Sequence, residues 1–383
     1  MGQTISAQSI NVGGFSGLQF IAAESTGDVL YFWTVTDRGP NGEPMESPII
    51  NEKVRPFLTP DYVPRIYKLR LNRKTSQLSV VEEILLKDPQ GKVLSGLPNL
   101  PGADEIPSDE KGQPIEYDLM GIDPEGIVKD DAGNFWICDE YRPSLLKFDS
   151  TGKLLKKFVP KGSYSRADLR KISQTRGHVE IIEAFPEDLN FRRKNRGFEG
   201  LTIKGNNLIV AMQGPLRLPE GKRKHLVRFY EFDPRLEKPV ATYLYPIEKE
   251  GSDRIGDISW NESGLFVIEQ NNKMGFEGVH QVYLVTDLVP YEKLRLTDQP
   301  ETLKRDILEP VILMKDLRID LVKQGFDKFE KVEGIAIISD GSVVVATDND
   351  FGVTLDESKN PPVIHVNPED RPVIGIFPPG KLN

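Results

Sequence analysis

Apolar residues along this chain come in short runs of Val, Ile, Leu, Phe and Tyr, each bounded by Gly, Asn or Asp. Val29–Val35, Phe135–Cys138, Leu208–Met212, Leu265–Ile268 and Val343–Ala346 are examples. Turn pairs stand between such runs: Asn206-Asn207, Ser263-Gly264, Asp340-Gly341 and Gly133-Asn134. Runs this short, closed off by turn chemistry, predict strands. Helical spacing is confined to Arg166–Ile172, Glu187–Lys194 and Thr302–Leu308. The pattern predicts an all-β protein with a few short helices in loops.

The strands repeat. Five segments start alike: Phe15-Ser16-Gly17-Leu18, Pro124-Glu125-Gly126-Ile127, Phe198-Glu199-Gly200-Leu201, Gly256-Asp257-Ile258-Ser259 and Val332-Glu333-Gly334-Ile335. A second strand follows each start and ends in a polar group. These endings are Thr36-Asp37-Arg38-Gly39, Cys138-Asp139-Glu140-Tyr141-Arg142, Met212-Gln213-Gly214, Ile268-Glu269-Gln270-Asn271 and Thr347-Asp348-Asn349-Asp350. Two further strand-like runs follow most pairs. Ile307–Met314 is expected to close the fourth group, and Val363–Val366 with Val373–Phe377 the fifth. Groups of four strands at about 77 residues each predict a β-propeller of five blades. A sixth is possible if the Pro- and Gly-rich stretch Lys92–Leu119, read as a long loop, conceals one. Residues 1–383 are then expected to form a single domain.

That architecture places chemistry. The innermost strand of a blade lines the channel and the next runs antiparallel to it, so the start of one and the end of the other share a mouth. Glu125, Glu199, Asp257 and Glu333 arrive from the starts; Asp37, Asp139, Glu140, Glu269, Asp348 and Asp350 arrive from the ends. Crowded carboxylates raise one another's pKa, and a hard cation such as Ca²⁺ relieves the repulsion. The expected metal ligands are Glu125, Glu199, Glu333 and Asp348, with Asp37, Asp139 and Asp257 beside them. Gln213, Asn271 and Asn349 would add neutral oxygens. Glu140 and Glu269 are the candidate catalytic bases. Arg38, Arg142 and Arg196 flank the acids, with Arg254 just before the fourth start, and suit a phosphate or carboxylate. The competing reading is structural: a Glu before a Gly can tie strands together through backbone N–H groups, and an Arg can simply pair with the acid beside it.

Composition narrows the classes. The 49 Lys and Arg against 58 Asp and Glu leave a net charge of −9, which disfavours nucleic acid as a partner. No run approaches the roughly 18 apolar residues of a membrane span. The one cysteine, Cys138, excludes an internal disulfide and a Cys-rich zinc site, and its place in a strand reads as core. His178, His225, His280 and His365 are widely spaced, and no phosphate-binding loop, nucleophile elbow or His-Glu-x-x-His motif occurs. The basic runs Arg192–Arg196 and Lys222–Lys224 read as solvated loops. The opening MGQTISAQSI is not a signal peptide, though one could have been removed; the expected location is extracellular or periplasmic, with the cytoplasm open.

Several of these pieces together resemble the phytase-like family associated with esterase-like activity. They are Thr36-Asp37-Arg38-Gly39-Pro40, Asp123-Pro124-Glu125-Gly126-Ile127, Trp136–Pro143, Asn195–Leu201, Val332–Ile335 and Asp348–Gly352. The resemblance implies phosphoester hydrolysis, with the acids as catalytic and metal groups. The chain departs from it at Glu269-Gln270-Asn271, where such proteins often place an arginine soon after the acid. The expected function is a calcium-dependent hydrolase of a small-molecule phosphoester. A lactonase or carboxylester hydrolase and a non-enzymatic binding propeller are the alternatives.

Overall fold

A computed structural model of the chain describes residues 2–3, 8–219, 225–247, 251–297, 299–356 and 363–381. The run Lys222–Lys224 lies outside them. The fold is all-β with few short helices, as the short apolar runs require. Five principal sheets follow one another along the chain. The first is built from Phe15–Phe20, Val29–Thr36, Arg65–Asn72 and Gln77–Leu85. The second begins with Pro124–Lys129 and Phe135–Asp139, the third with Phe198–Lys204 and Asn207–Met212. The fourth begins with Arg254–Asn261 and Gly264–Gln270, the fifth with Lys331–Ile337 and Val343–Asp348. All five predicted starts are therefore first strands, each antiparallel to the predicted second strand.

Later strands differ from expectation in three places. Ile307–Met314 is not a strand: Arg305–Leu308 is helical, Glu309–Val311 is a 3-10 turn, and Asp316–Asp320 completes the fourth sheet. Pro310 lacks the N–H that a strand must donate. Val363–Val366 pairs with Val353–Asp356 in a separate hairpin, so Ile374–Phe377 lies directly on Val343–Asp348. The second sheet gains a fifth strand, Ile181–Phe185, parallel to Leu154–Pro160. Within Lys92–Leu119 the one named strand is Ile106–Ser108, which joins Lys53–Pro56 and Met45–Glu46 in a small side sheet. Of the predicted helices, Arg166–Arg176 forms behind a Ser165–Asp168 capping box, and Glu187–Phe191 is a short 3-10 turn.

Apolar side chains fill the space between neighbouring sheets. Trp33 and Val35 pack with Ile127 and Phe135, Cys138 with Leu201, Ile268 with Val332, and Ala346 returns to Phe15 and Leu18. Each fully buried Val, Ile, Leu or Phe among them contributes roughly 1.5–3 kcal/mol. The first strands of the five sheets also pack side by side in chain order, and the fifth meets the first.

Glycine makes that approach possible. A Cβ on Gly17 would lie 2.8 Å from the Gly126 Cα, one on Gly126 2.8 Å from the Leu201 N, and one on Gly200 2.8 Å from the Ile258 N. The backbones of adjacent first strands touch where a side chain would stand. A bulge interrupts each pairing at this level. It falls on Glu125, Glu199, Gly256 and Glu333 in the second to fifth sheets, leaving Gly126, Gly200, Asp257 and Gly334 opposite Cys138, Ala211, Ile268 and Ala346.

Candidate functional site

The bulges turn three glutamates toward one point. Glu125, Glu199 and Glu333 each bring a carboxylate oxygen within 4.8 Å of the others, and so do Asp123, Glu125 and Glu140. Two overlapping acid groups thus share Glu125. All five side chains are buried. Burial pushes the pKa of Glu125 well up, and Glu199, Asp123, Glu333 and Glu140 push it further. Asp123, Glu140, Glu199 and Glu333 are raised as well, with burial as the largest cause in each.

The second strands supply the rest of the floor through their register. Counting one step past the residues opposite Gly126, Gly200, Asp257 and Gly334 gives Asp139, Met212, Glu269 and Thr347. Two steps give Glu140, Gln213, Gln270 and Asp348. Successive side chains of a strand alternate faces, so the second set faces the floor and the first set faces away. Gln213 Nε2 donates to Glu199 Oε2 at 2.8 Å. Gln270 Nε2 donates to Glu333 Oε1 at 3.4 Å, and its Oε1 accepts the Val332 N–H at 2.8 Å.

This register corrects two sequence expectations. Asp139 turns from the floor: Oδ2 accepts from Lys157 Nζ at 3.2 Å and Ser144 Oγ at 2.8 Å, while Oδ1 accepts the N–H groups of Asp123 and Tyr141. Glu269 does the same in the fourth sheet. Its Oε1 accepts from Tyr245 Oη at 2.5 Å and from Lys315 Nζ. Both acids are buried lysine partners, and neither reaches the five-acid floor. Gln270, which sequence reasoning left without a role, is the fourth sheet's side chain at this level. Asp257 is displaced for a related reason. The fourth repeat reads Gly-Asp where the second, third and fifth read Glu-Gly and the first Ser-Gly, so its bulge falls on Gly256 and Asp257 takes the place of a glycine.

Asp37 and Asp348 form a second group with Asp350 beside the first. A cation of the protein already sits there: Lys331 Nζ lies 2.5 Å from Asp350 Oδ1 and 3.2 Å from Asp348 Oδ2. Burial raises Asp350, but Lys331 more than offsets it and carries its pKa below the usual value. Asp37 is pushed up to about 7, chiefly by burial. Asp350 and Phe351 both hold positive φ, 45° and 57°, a strained pair at the edge of the site.

The remaining floor fits a cation. Asp123 Oδ2, Glu140 Oε1, Glu199 Oε1 and the Gln213 carbonyl Oε1 are buried oxygens that accept no hydrogen bond, the first two facing the Arg38 and Arg196 guanidinium groups at 3.7 and 3.9 Å. Buried acceptors are otherwise nearly always satisfied, and acceptors gathered in one place with no donor are the oxygen set that a hard divalent ion takes.

Above the floor opens a cleft of about 700 Å³ whose lining carries eight Arg and Lys side chains against four Asp and Glu. Arg38 and Arg196 line it. Arg38 Nη1 reaches Glu105 at 3.0 Å and Asn195 Oδ1 at 2.8 Å, and Arg196 Nη1 lies 3.9 Å from Glu140 Oε1. Burial opposes the charge of Glu105, yet Arg55 and Arg38 bring its pKa down to about 2. Arg193, Arg217, Arg254 and Lys331 complete a basic wall. The run Arg192–Arg196 is therefore more than a solvated loop: Arg192 pairs with Asp104, and Arg193 to Arg196 form part of the wall.

Arg142 is not in the cleft. It is fully buried, with Nε and Nη2 on Asn99, Nη1 on the Ser163 carbonyl, and its guanidinium 3.7 Å over the Tyr164 ring. Arg142→Lys loses the fork and the stacking face. It should destabilise the protein by about 3 kcal/mol in a denaturant melt and leave KM for any hydrolysed substrate unchanged.

The chain is all-β, with buried carboxylates that could hold a metal ion gathered at the meeting point of its first strands, under a cleft rich in arginine and lysine. It belongs to the phytase-like family, described as the esterase-like activity of phytase, whose model matches residues 10–351. A protein of Arthroderma benhamiae named as an uncharacterized secreted protein is 31% identical over 194 residues, a match spanning 45% of this chain and 38% of that protein. Among solved structures, a glycosyl hydrolase from Bacteroides ovatus is 8% identical at a TM-score of 0.41, over 100% of this chain and 90% of that one. An α-L-arabinofuranosidase from Clostridium thermocellum is 9% identical at 0.39, over 87% of this chain and 81% of that one. No helix among the described residues is long and apolar enough to cross a membrane.

Proposed function

We propose that this chain is a calcium-dependent phosphoester hydrolase working at the five-acid floor, on a five-bladed propeller formed by the five sheets. The observation that carries the reading is the set of donor-less buried oxygens beneath a cleft rich in arginine and lysine. Asp123, Glu125, Glu199 and Glu333 would hold the ion, with the Gln213 carbonyl beside them and Glu140 left unligated. A bound divalent ion supplies Lewis-acid polarisation and a more acidic water. The protein's own groups do the rest. Arg38, Arg196 and Arg254 hold the anionic oxygens of the substrate in place, and Lys331 adds positive charge from the opposite group. Glu140, with Oε1 open and Arg196 nearby, is placed to take a proton from an attacking water. An extracellular or periplasmic location is in keeping with the secreted relative.

The test is a titration of chelator-treated protein with Ca²⁺, Mg²⁺, Mn²⁺ and Zn²⁺, read by melting temperature. It runs beside an activity panel of a phosphomonoester, a phosphodiester, a carboxylester and a lactone. Calcium at a thousand times its Kd should add about 4 kcal/mol to stability. The gain should grow with pH. The folded pKa values of the floor acids and of Asp37 are raised, Asp37 to about 7 from 3.8. The metal-free folded state therefore binds more protons than the unfolded chain, and these groups lose stability as pH rises from about 4 through their folded values. Calcium displaces the protons of the floor acids, so its stabilisation should be larger at pH 8 than at pH 5. Turnover of the carboxylester or lactone alone would overturn the phosphoester assignment; no response to any cation would overturn the metal.

A further inference from the structure

We infer that Asp257 is a positioning residue: its carboxylate gathers the backbone N–H groups of four first strands and so sets the spacing of the glutamates that hold the cation. This rests on the cation reading of the floor. Asp257 is 1% exposed. Its Oδ1 accepts the N–H of Ile258 at 2.7 Å, and its Oδ2 that of Ile335 at 2.8 Å. The N–H groups of Leu18 and Leu201 point to the same carboxylate closely enough to favour its charged form.

The donors are equivalent residues of the first, third, fourth and fifth sheets. Leu18, Leu201 and Ile335 directly follow Gly17, Gly200 and Gly334. The glycines leave this point without side chains, so the N–H groups converge on a hole at the centre of the first strands. The fourth repeat fills it. Its Gly-Asp order puts glycine at the bulge and a carboxylate where every other repeat has none. The four N–H groups favour the charge of this one carboxylate, against a burial that pushes its pKa well up.

The link to the floor is two covalent steps long. Glu199 precedes Gly200-Leu201 and Glu333 precedes Gly334-Ile335, so the amides that Asp257 holds belong to the segments that aim Glu199 and Glu333. Loosening the amides frees the bulges, and the oxygens spread.

Calcium titration by calorimetry on folded Asp257→Asn and Asp257→Glu, with Arg142→Lys as a buried control, tests this. Asn keeps the shape but offers one oxygen; Glu keeps the charge but is a methylene too long. Both should bind calcium at least about tenfold more weakly than wild type, while Arg142→Lys binds normally. A role in stability alone lowers the melting temperature of all three and leaves calcium affinity intact. A long-range charge effect spares Asp257→Glu. Wild-type affinity in either folded Asp257 variant overturns the inference, whereas no calcium binding by the wild type overturns the reading of the floor. If neither variant folds, hydrogen exchange on the wild type decides. The amides of Leu18, Leu201, Ile258 and Ile335 should be protected and calcium should slow them further; exchange indifferent to calcium overturns the inference.

Discussion

Glu199→Gln should fold, melt no lower than wild type in chelator, and bind calcium at least about a hundredfold more weakly, a loss of roughly 2.7 kcal/mol. In the native floor Glu199 Oε2 already accepts from Gln213, while Oε1 is buried without a donor. A glutamine must keep its oxygen toward Gln213 to preserve that bond. Its NH₂ then falls where Oε1 was, in the buried floor that Glu125 and Glu333 share. A donor in that place suits the metal-free protein, because it removes one of the crowded charges and satisfies its neighbours. It opposes a cation for the same reason. The two readouts therefore move in opposite directions: stability in chelator holds or rises, and the calcium-induced rise in melting temperature collapses. A Glu199 that only ties strands together would show the reverse, with a lower melt and unchanged calcium response.

Gly126→Ala should cost about 3 kcal/mol in a denaturant melt, at the upper end of what an added methyl in a packed core costs. The new Cβ would lie 2.8 Å from the Leu201 N, 2.9 Å from the Cys138 Sγ and 3.0 Å from the Leu201 Cβ. Two of those contacts belong to the neighbouring sheet's first strand, which its own neighbours hold in place. Relief must come from separating the second and third sheets, and Glu125 would move with the strand. Calcium affinity should accordingly fall together with stability. Gly27→Ala is the control. It has no atom within 4 Å of its added Cβ, so its melt should stay within about 0.5 kcal/mol of wild type. Equal effects from the two substitutions would remove close strand approach as the reason for Gly126.

Much of this was legible along the chain. Short apolar runs closed by turn residues determined the strands, because a buried strand needs only a few alternating apolar positions and a turn needs its own residue types. The five recurring starts marked the first strands, and the Glu-Gly pairs placed Glu125, Glu199 and Glu333 on a common level. Glu140, Arg38 and Arg196 followed from the same repeat. What sequence could not decide turns on single-residue phase. Side chains in a strand alternate with period two, so an acid one position off serves the opposite face. Asp139 and Glu269 lie on that other face, bound to Lys157 and Lys315, while Gln270 holds the position that Glu269 was expected to fill. A bulge resets the phase without changing the residue types, which is why Asp257 aligns with the glutamates by eye and with the glycines in space. The basic wall needed folding for a different reason. Arg38, Arg193, Arg217, Arg254 and Lys331 come from segments far apart in the chain, and only the meeting of the five sheets at one mouth brings their charges over the acids. Arg142 shows the converse: it stands beside the acids in sequence, and Asn99, Ser163 and Tyr164 bury it away from them.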